Sequence, residues 1–412
     1  MPKTTHSNTL MASRLNLADK VLNALGRMAN DAPPLLLVFW GSRGSGKTTF
    51  LEEVKKRLSA EADVGVAGLW DMGKTAVKGL PSKILKSVER KKETYKAVIF
   101  DNMDALLKDP SGRDFFDLET NLILPLVERG DTLIIVGSQL ELTQWQEYDV
   151  RLRQENYQLG PLSLDEVQDM LKGGKVEVET VHNLTFGHPK VMEEYLAHPK
   201  WKKADAARFA SKYFLGDLPA ETREIAQIAS LFPAFNVYIL KKSRGDGNSE
   251  DDGLLARYNG QINELTRRWI IRFDTESGAY RFTDNAVRRL LALDYALKQS
   301  KRFAGIQHIA ADYFEEEAKS AAFLPQLIVS AVYHQAQTVR AQSPDKRGAH
   351  CVKWVRSMRD HWNGANWKQV LQKWESADGD PGLKDEILSL IGEKYHKKIA
   401  AMFSTYREEM EA

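Results

Sequence analysis

The spacing of apolar and polar positions changes several times along this chain. After a polar opening, residues 15–28 carry apolar side chains at helical intervals, and "APP" at 32–34 breaks them. "LLLVFW" follows as an unbroken apolar run closed by Gly41, the mark of a strand buried on both faces. Residues 51–58 return to helical spacing. "DVGVAGLWDM", "KAVIFD", "DTLIIVGSQ" and the shorter "YQLGPL" predict four further strands. Strands alternating with helical stretches predict a mostly parallel sheet with helices on both faces.

Beyond Leu162 the pattern is helical. "SLDE" is a capping box with Ser163 as N-cap and Glu166 at the third helical position. The helical character runs to about residue 215, interrupted by "FGHPK". Three helical stretches (219–232, 235–242 and 254–268) then precede two short strands, "WIIRFDTE" and "AYRFTD", joined across Ser277 and Gly278. Three helices and a hairpin are a winged-helix pattern. The polar, glycine-rich "RGDGNSEDDG" at 244–253 predicts an exposed loop. From 299 onward the chain is helix and loop, without a repeat strict enough to define a period. Trp354, Trp362, Trp367 and Trp374 crowd this segment and read as its core.

Composition narrows the class. With 412 residues, 43% hydrophobic and 28% charged, the chain has the make-up of an ordinary globular protein of two to four domains. Lys plus Arg number 58 against 56 Asp plus Glu, so a net charge of +2 gives no global argument for nucleic acid. The single cysteine, Cys351, excludes a disulfide framework or a Cys-rich metal site and points to a reducing compartment. The N-terminus carries no secretory signal, and no apolar run is long enough to span a membrane. A cytoplasmic location is expected. The histidines show no metal-binding spacing.

One motif dominates the chemistry. "GSRGSGKTT" places Gly41, Ser42, Arg43, Gly44, Ser45, Gly46, Lys47, Thr48 and Thr49 between a strand and a helix, and it fits G-x-x-x-x-G-K-[ST]. The glycines let successive N–H groups turn inward on phosphate oxygens, and the helix N-terminus adds its dipole. Lys47 is expected at the β and γ phosphates and Thr48 on Mg²⁺. In "AVIFDNMD" the strand ends in Asp101, a carboxylate for the Mg²⁺ shell. Asp104, three residues on, is read as the group that orients or deprotonates an attacking water, with a helix cap as the alternative. Ser138 and Gln139 at the end of "TLIIVGSQ" are read as γ-phosphate sensors or as turn residues. Arg151 and Arg153 alternate, which predicts one shared strand face and an arginine finger, or a solvated edge. The charge run "RKKETYK" reads as a solvated helix end. Arg267 and Arg268, at the end of the third winged-helix stretch, are the candidates for facing a DNA groove.

With these motifs in place, the chain resembles the STAND class of P-loop ATPases, relatives of the NACHT and NB-ARC switch proteins and related to AAA+ proteins, over about residues 15–298. "GSRGSGKTTFLEEV" resembles their phosphate loop and "VIFDNMDAL" their magnesium motif. "IIVGSQ" resembles the sensor strand, and "YQLGPLSLDEVQDML" the entry to the lid. "FGHPKVMEEYL" resembles the G-x-P motif, and "YRFTDNAVRRLL" the winged-helix motif that closes on bound diphosphate. The resemblance implies that Gly187 and Pro189 lie near the base or ribose, and that Thr283 and Asp284 contact the nucleotide. Two departures stand out. The sensor strand ends in Ser-Gln where these families often have arginine, and Thr283 stands where NB-ARC relatives have histidine.

The expected architecture is a P-loop nucleotide-binding α/β domain (1–162), a helical lid (163–215), a winged-helix domain (216–298) and an α-helical, superhelical or TPR-like domain (299–412). The expected function is a slow ATP/ADP- and Mg²⁺-dependent switch or assembly scaffold, with a protein partner or a second copy engaged through the C-terminal helices. The alternative is a DNA-binding AAA+ ATPase of origin-recognition type, meeting DNA through the winged helix.

Overall fold

The computed structural model describes residues 12–28, 35–61, 63–109, 111–171, 177–246, 252–275, 277–362, 364–375 and 381–411. The polar opening, the "APP" break and the central part of the 244–253 loop lie outside these residues. Two compact units, Met1–Ala206 and Ala207–Ala412, make up the chain.

Unit 1 is a P-loop α/β domain. Its strands are β1 (Leu36–Trp40), β2 (Val64–Asp71), β3 (Tyr95–Asp101), β4 (Thr132–Ser138) and β5 (Gln154–Gln158). They form one parallel sheet in the order β2-β3-β4-β1-β5. Its helices are α1 (Ala12–Gly26), α2 (Lys47–Leu58), α3 (Leu80–Glu89), α4 (Arg113–Leu118), α5 (Leu124–Arg129), α6 (Tyr148–Leu152), α7 (Leu164–Met170), α8 (Val178–Thr185) and α9 (Pro189–Ala197). Strands β1 and β4 are buried along their whole length, which explains their unbroken apolar sequences. The order makes β1 a switch point: the chain leaves it for the far edge and returns to its other side at β5. A crevice therefore opens at the carboxyl end of β1, where α/β sheets take ligands. Phe39 fastens the base of that crevice, its ring 4.6 Å from Phe50 of α2 and 5.3 Å from Tyr157 of β5.

Two readings need correction. The fifth strand is the polar "QENYQ", not "YQLGPL"; it is a half-buried edge strand and so carries no apolar signal. Arg151 and Arg153 share no strand face, since Arg151 lies in α6 and Arg153 in the turn before β5. The capping box is formed: Ser163 N–H donates to Glu166 Oε2 at 2.6 Å, and Glu166 N–H to Ser163 Oγ at 3.3 Å. The lid helices α7, α8 and α9 pack on a small core of Leu162, Val167, Val181, Met192 and Tyr195.

Among its described residues, unit 2 is helical apart from one hairpin. It contains α10 (Lys203–Leu215), α11 (Ala220–Ala229), α12 (Val237–Arg244), α13 (Asp252–Arg267), α14 (Asn285–Lys298), α15 (Ser300–Ser320), α16 (Pro325–Thr338), α17 (Pro344–Met358), α18 (Trp367–Glu375), α19 (Pro381–Ile391) and α20 (Glu393–Glu411). β6 (Ile271–Asp274) and β7 (Ala279–Phe282) pair antiparallel after α13, as a winged helix requires. Asp284 caps α14, accepting the N–H groups of Ala286 and Val287 at 2.8 and 3.2 Å, while Thr283 N–H donates to the Ile270 carbonyl. Trp362, Trp367 and Trp374 are buried in the C-terminal core with Phe403 and Tyr406, and Trp354 packs against it. Among the described residues no helix is long and apolar enough to cross a membrane.

A buried polar cluster ties α14 to the C-terminal helices. Arg288 donates to Glu386 at 2.5 Å and to the Ser230 carbonyl at 3.2 Å, and Arg289 pairs with the same carboxylate at 3.0 Å. Beside it His334 is wholly buried, its Nδ1 2.7 Å from Gln307 Oε1 and its ring stacked on Phe314. Burial, helped by the Arg288 charge, pulls the His334 pKa down from 6.5 to about 3. The unfolded chain then binds a proton near pH 6.5 that the native state refuses. Native stability is present above that pH and is lost as pH falls toward the folded value, by at most about 1.4 kcal/mol per pH unit for one group. Thermal unfolding of the full chain is expected to show a melting temperature that drops between pH 6.5 and 5, with a shallower drop in His334→Phe. An identical slope in the variant contradicts this origin.

Candidate active site

The site grows from the carboxyl end of β1. Gly44 and Gly46 have φ of 80° and 88°, conformations that favour glycine, and Gly46 hands the chain into α2 without any side-chain cap. The first N–H groups of α2 are thus left to whatever occupies the loop. A side chain at Gly41 would collide with the Leu159 carbonyl, so the segment just after β5 presses directly on the loop. Lys47 is buried and its Nζ donates to the Gly41 and Ser42 carbonyls at 2.7 and 2.9 Å. The ammonium is held within the loop that a phosphate would share.

The tips of β3 and β4 supply the rest. Thr48 Oγ1 donates to Asp101 Oδ2 at 2.6 Å, so the two oxygen donors expected around Mg²⁺ converge. Asp101 is buried, and its other oxygen accepts the Asn102 N–H at 2.8 Å. Asn102 has a left-handed backbone (φ 56°) and its side chain donates to Asp71 at 2.9 Å, which turns the chain after β3. That turn brings Asp104 back beneath the tip of β4. Asp104 Oδ1 accepts the Gln139 backbone N–H at 2.9 Å, and Oδ2 accepts Gln139 Nε2 at 3.0 Å. The helix-cap reading of Asp104 is therefore not what the geometry gives: Asn102 takes the N-cap position, and no side chain caps the turn. Burial raises the Asp104 pKa above the ordinary 3.8, against the opposing pull of the Gln139 bonds and the Lys47 charge. Ser138, the last residue of β4, is buried and its Oγ accepts the Leu140 N–H at 3.3 Å.

Three residues that sequence reasoning did not single out also meet the loop. Arg14 of α1 is buried and donates to the Ser45 carbonyl and, at 2.9 Å, to the Gly160 carbonyl. It satisfies the Ser45 carbonyl of the loop. His188, between Gly187 and Pro189, approaches Ser42 Oγ at 3.4 Å. Lys190 on α9 lies against Gly44, with its ammonium held by Glu193 and Glu194 at 3.0 and 3.1 Å. Gly187 has φ 74° and no room for a side chain beside the Leu162 carbonyl, whose N–H donates to Gly187 at 2.8 Å. The G-x-P segment is thus pinned to the strand exit and faces the phosphate loop. Arg151 is exposed on α6. A hard, small cation fits Thr48 and Asp101, which offer oxygen only. Among the described residues no cluster of three or more His, Cys, Asp or Glu forms a self-sufficient metal cage. Any Mg²⁺ here would need phosphate oxygens and water to complete its shell.

No family model matches the chain, and no curated protein matches it. Solved structures are similar across most of their own length. The Aeropyrum pernix ORC1 protein in complex with DNA is 14% identical, with 72% of this chain and 96% of that one covered and a TM-score of 0.37. The Aeropyrum pernix ORC2 protein in its ADPNP–ADP complexes is 14% identical, with 73% and 98% covered and a TM-score of 0.41. AMPPCP-bound DnaA from Aquifex aeolicus is 16% identical, with 74% and 99% covered and a TM-score of 0.36. A likeness this distant bears on neither ligand nor activity.

Arg14→Ala is expected to weaken binding of a fluorescent ATP analogue by about tenfold, the scale of a charge-assisted hydrogen bond lost from the loop's support. Unchanged affinity in equilibrium titration contradicts a role for Arg14 in shaping the loop.

Proposed function

We propose that this chain is a Mg²⁺-dependent P-loop ATPase of AAA+-related type that turns over slowly and uses nucleotide state to set its lid. The observation that carries this reading is the convergence of Lys47, Thr48, Asp101 and the Gln139-bound Asp104 at the uncapped start of α2. The loop's N–H groups and Lys47 hold the β and γ phosphates. Thr48 and Asp101 would hold Mg²⁺, which would supply charge neutralisation of the transferred group. Asp104 accepts a proton from water as the water oxygen bonds to the γ phosphorus. The bond to the β–γ bridging oxygen breaks, and its electron pair leaves with ADP. Asp104 must be ionised for this step, so turnover falls as pH drops through its raised pKa. The β4 tip offers a neutral amide in place of an arginine, which supports turnover below the roughly 10 per second of busy enzymes. A switch needs contacts that differ between states. His188 and Lys190 give the lid such contacts, because they already face Ser42 and Gly44.

Lys47→Ala is expected to lose most ATP binding. Asp104→Asn is expected to keep binding and lose about a hundredfold in turnover, the usual weight of a general base. Phosphate release and analogue titration on the same preparations check both. Full turnover in Asp104→Asn contradicts the assignment.

DNA binding has its own observation. On α13, Tyr258, Ile262 and Leu265 face the core, while Ala256, Asn259, Gly260, Asn263 and Arg267 share the exposed face. Small residues flanked by Asn and Arg suit close approach to base edges. Arg268 instead pairs with Glu264 at 2.7 Å. This reading expects salt-dependent binding of duplex DNA that weakens about tenfold in Arg267→Ala. Fluorescence anisotropy without any salt-dependent binding rejects it and leaves the ATPase reading intact.

A further inference from the structure

Unit 2 holds a narrow cleft that no part of the nucleotide chemistry uses. It opens where the turn at 233–234, the hairpin strand β7 and the helices α16, α18 and α19 meet. Much of its lining is apolar, from Val329, Leu383, Ile387 and Trp374. Trp374 gives its indole N–H to the His396 carbonyl at 3.2 Å, so it offers the cleft only ring surface. Arg281, Lys373 and Lys384 line the same cleft, and among the described residues no carboxylate does. Ser330 also lines it and is only 6% exposed, yet among the described residues no group hydrogen-bonds its hydroxyl. A buried hydroxyl without a partner costs free energy that a ligand atom would restore. Arg281 Nε meets Asp274 Oδ2 at 3.0 Å, and that oxygen also accepts the Ser277 hydroxyl at 2.7 Å. The Nη edge of the guanidinium, the fork that matches a carboxylate, has no partner among the described residues. Lys384 Nζ donates to the Glu375 carbonyl at 2.7 Å, a neutral partner that does not cancel its charge.

We infer that this cleft is a binding site for a small organic carboxylate with a slim apolar body. The carboxylate meets Arg281, Lys384 and the Ser330 hydroxyl, and the body lies on Trp374, Leu383 and Ile387. An apolar lining with a few convergent polar groups is the usual make-up of a small-molecule site. A single negative charge suits it, because Asp274 already offsets part of the cationic lining. The narrowness of the cleft favours an unbranched body. Such a ligand touches the hairpin and three C-terminal helices at once, so its binding favours the conformation in which they are packed together. The inference does not rest on the ATPase reading, because every lining residue belongs to unit 2.

The probe is hexanoate, titrated into the full chain and followed by saturation-transfer NMR, with hexanamide, acetate and inorganic phosphate run beside it. Hexanamide keeps the body and loses the charge; acetate keeps the charge and loses the body. Saturable binding of hexanoate is expected, with hexanamide and acetate each about tenfold weaker or more. Lys384→Gln and Ser330→Ala are each expected to weaken hexanoate about tenfold, the scale of one charge-assisted hydrogen bond. Melting curves on the same samples report whether the variants fold. Should Ser330→Ala fail to fold, Lys384→Gln decides alone, since its side chain is only partly buried on α19. No saturable binding of hexanoate, equal binding of hexanamide, or unchanged affinity in Lys384→Gln overturns the site. Phosphate that binds as tightly as hexanoate overturns the carboxylate assignment.

Discussion

Strands β1, β4 and β3 lie side by side with their apolar side chains buried, and this constrains every charged group of the site. None of Lys47, Asp101 and Asp104 can be accommodated inside such a sheet. They occur where its strands end, on one edge of the domain, and there they need partners because charge is costly to bury alone. Thr48 meets Asp101, Gln139 meets Asp104, and Lys47 meets loop carbonyls. Lys47, Thr48, Asp101 and the Gln139 amide are also groups that a bound nucleotide and its metal would claim. The local satisfaction of buried polar groups is therefore the same feature that lets ligand binding rearrange them.

Much of this was legible in the sequence. Continuous apolar runs announced β1, β3 and β4 because both of their faces are covered. The glycine pattern announced the loop because only glycine adopts its backbone turns easily. Asp101 and Gln139 stand out in the sequence because a polar residue at the end of a buried strand points to the sheet edge. The misses have physical causes too. Strand β5 lies at an edge and reads as polar, so its start carries no apolar signal and the alternation of Arg151 and Arg153 mimics a strand face that α6 and the turn after it do not have. Arg14 acts from a helix far upstream in sequence, and no local pattern marks an arginine that a fold later buries. His188 and Lys190 sit within a recognised segment, but their proximity to the loop follows from how Gly187 packs on Leu162.

Unit 2 has its own organising contact. Glu386 is embraced by two arginines from the winged-helix motif, so that motif is structurally committed to the C-terminal helices. Removing one partner of such a pair strands the other charge and costs about 3–5 kcal/mol. The basic residues of "NAVRRLL" thus serve the interior of their own unit, and Asp284 serves as a helix cap. Their sequence signature marks the winged helix; their hydrogen bonds mark how it is anchored.

The central claim is that residues 41–48, with Asp101 and Asp104, form a nucleotide site. It is tested most directly by the nucleotide content of the freshly purified full chain, acid-extracted and separated by ion exchange, followed by titration with MgATP. Close to one adenine nucleotide per chain, retained or saturably bound only with Mg²⁺ present, is the predicted result. A chain that carries no nucleotide and shows no saturable binding of MgATP would contradict the account.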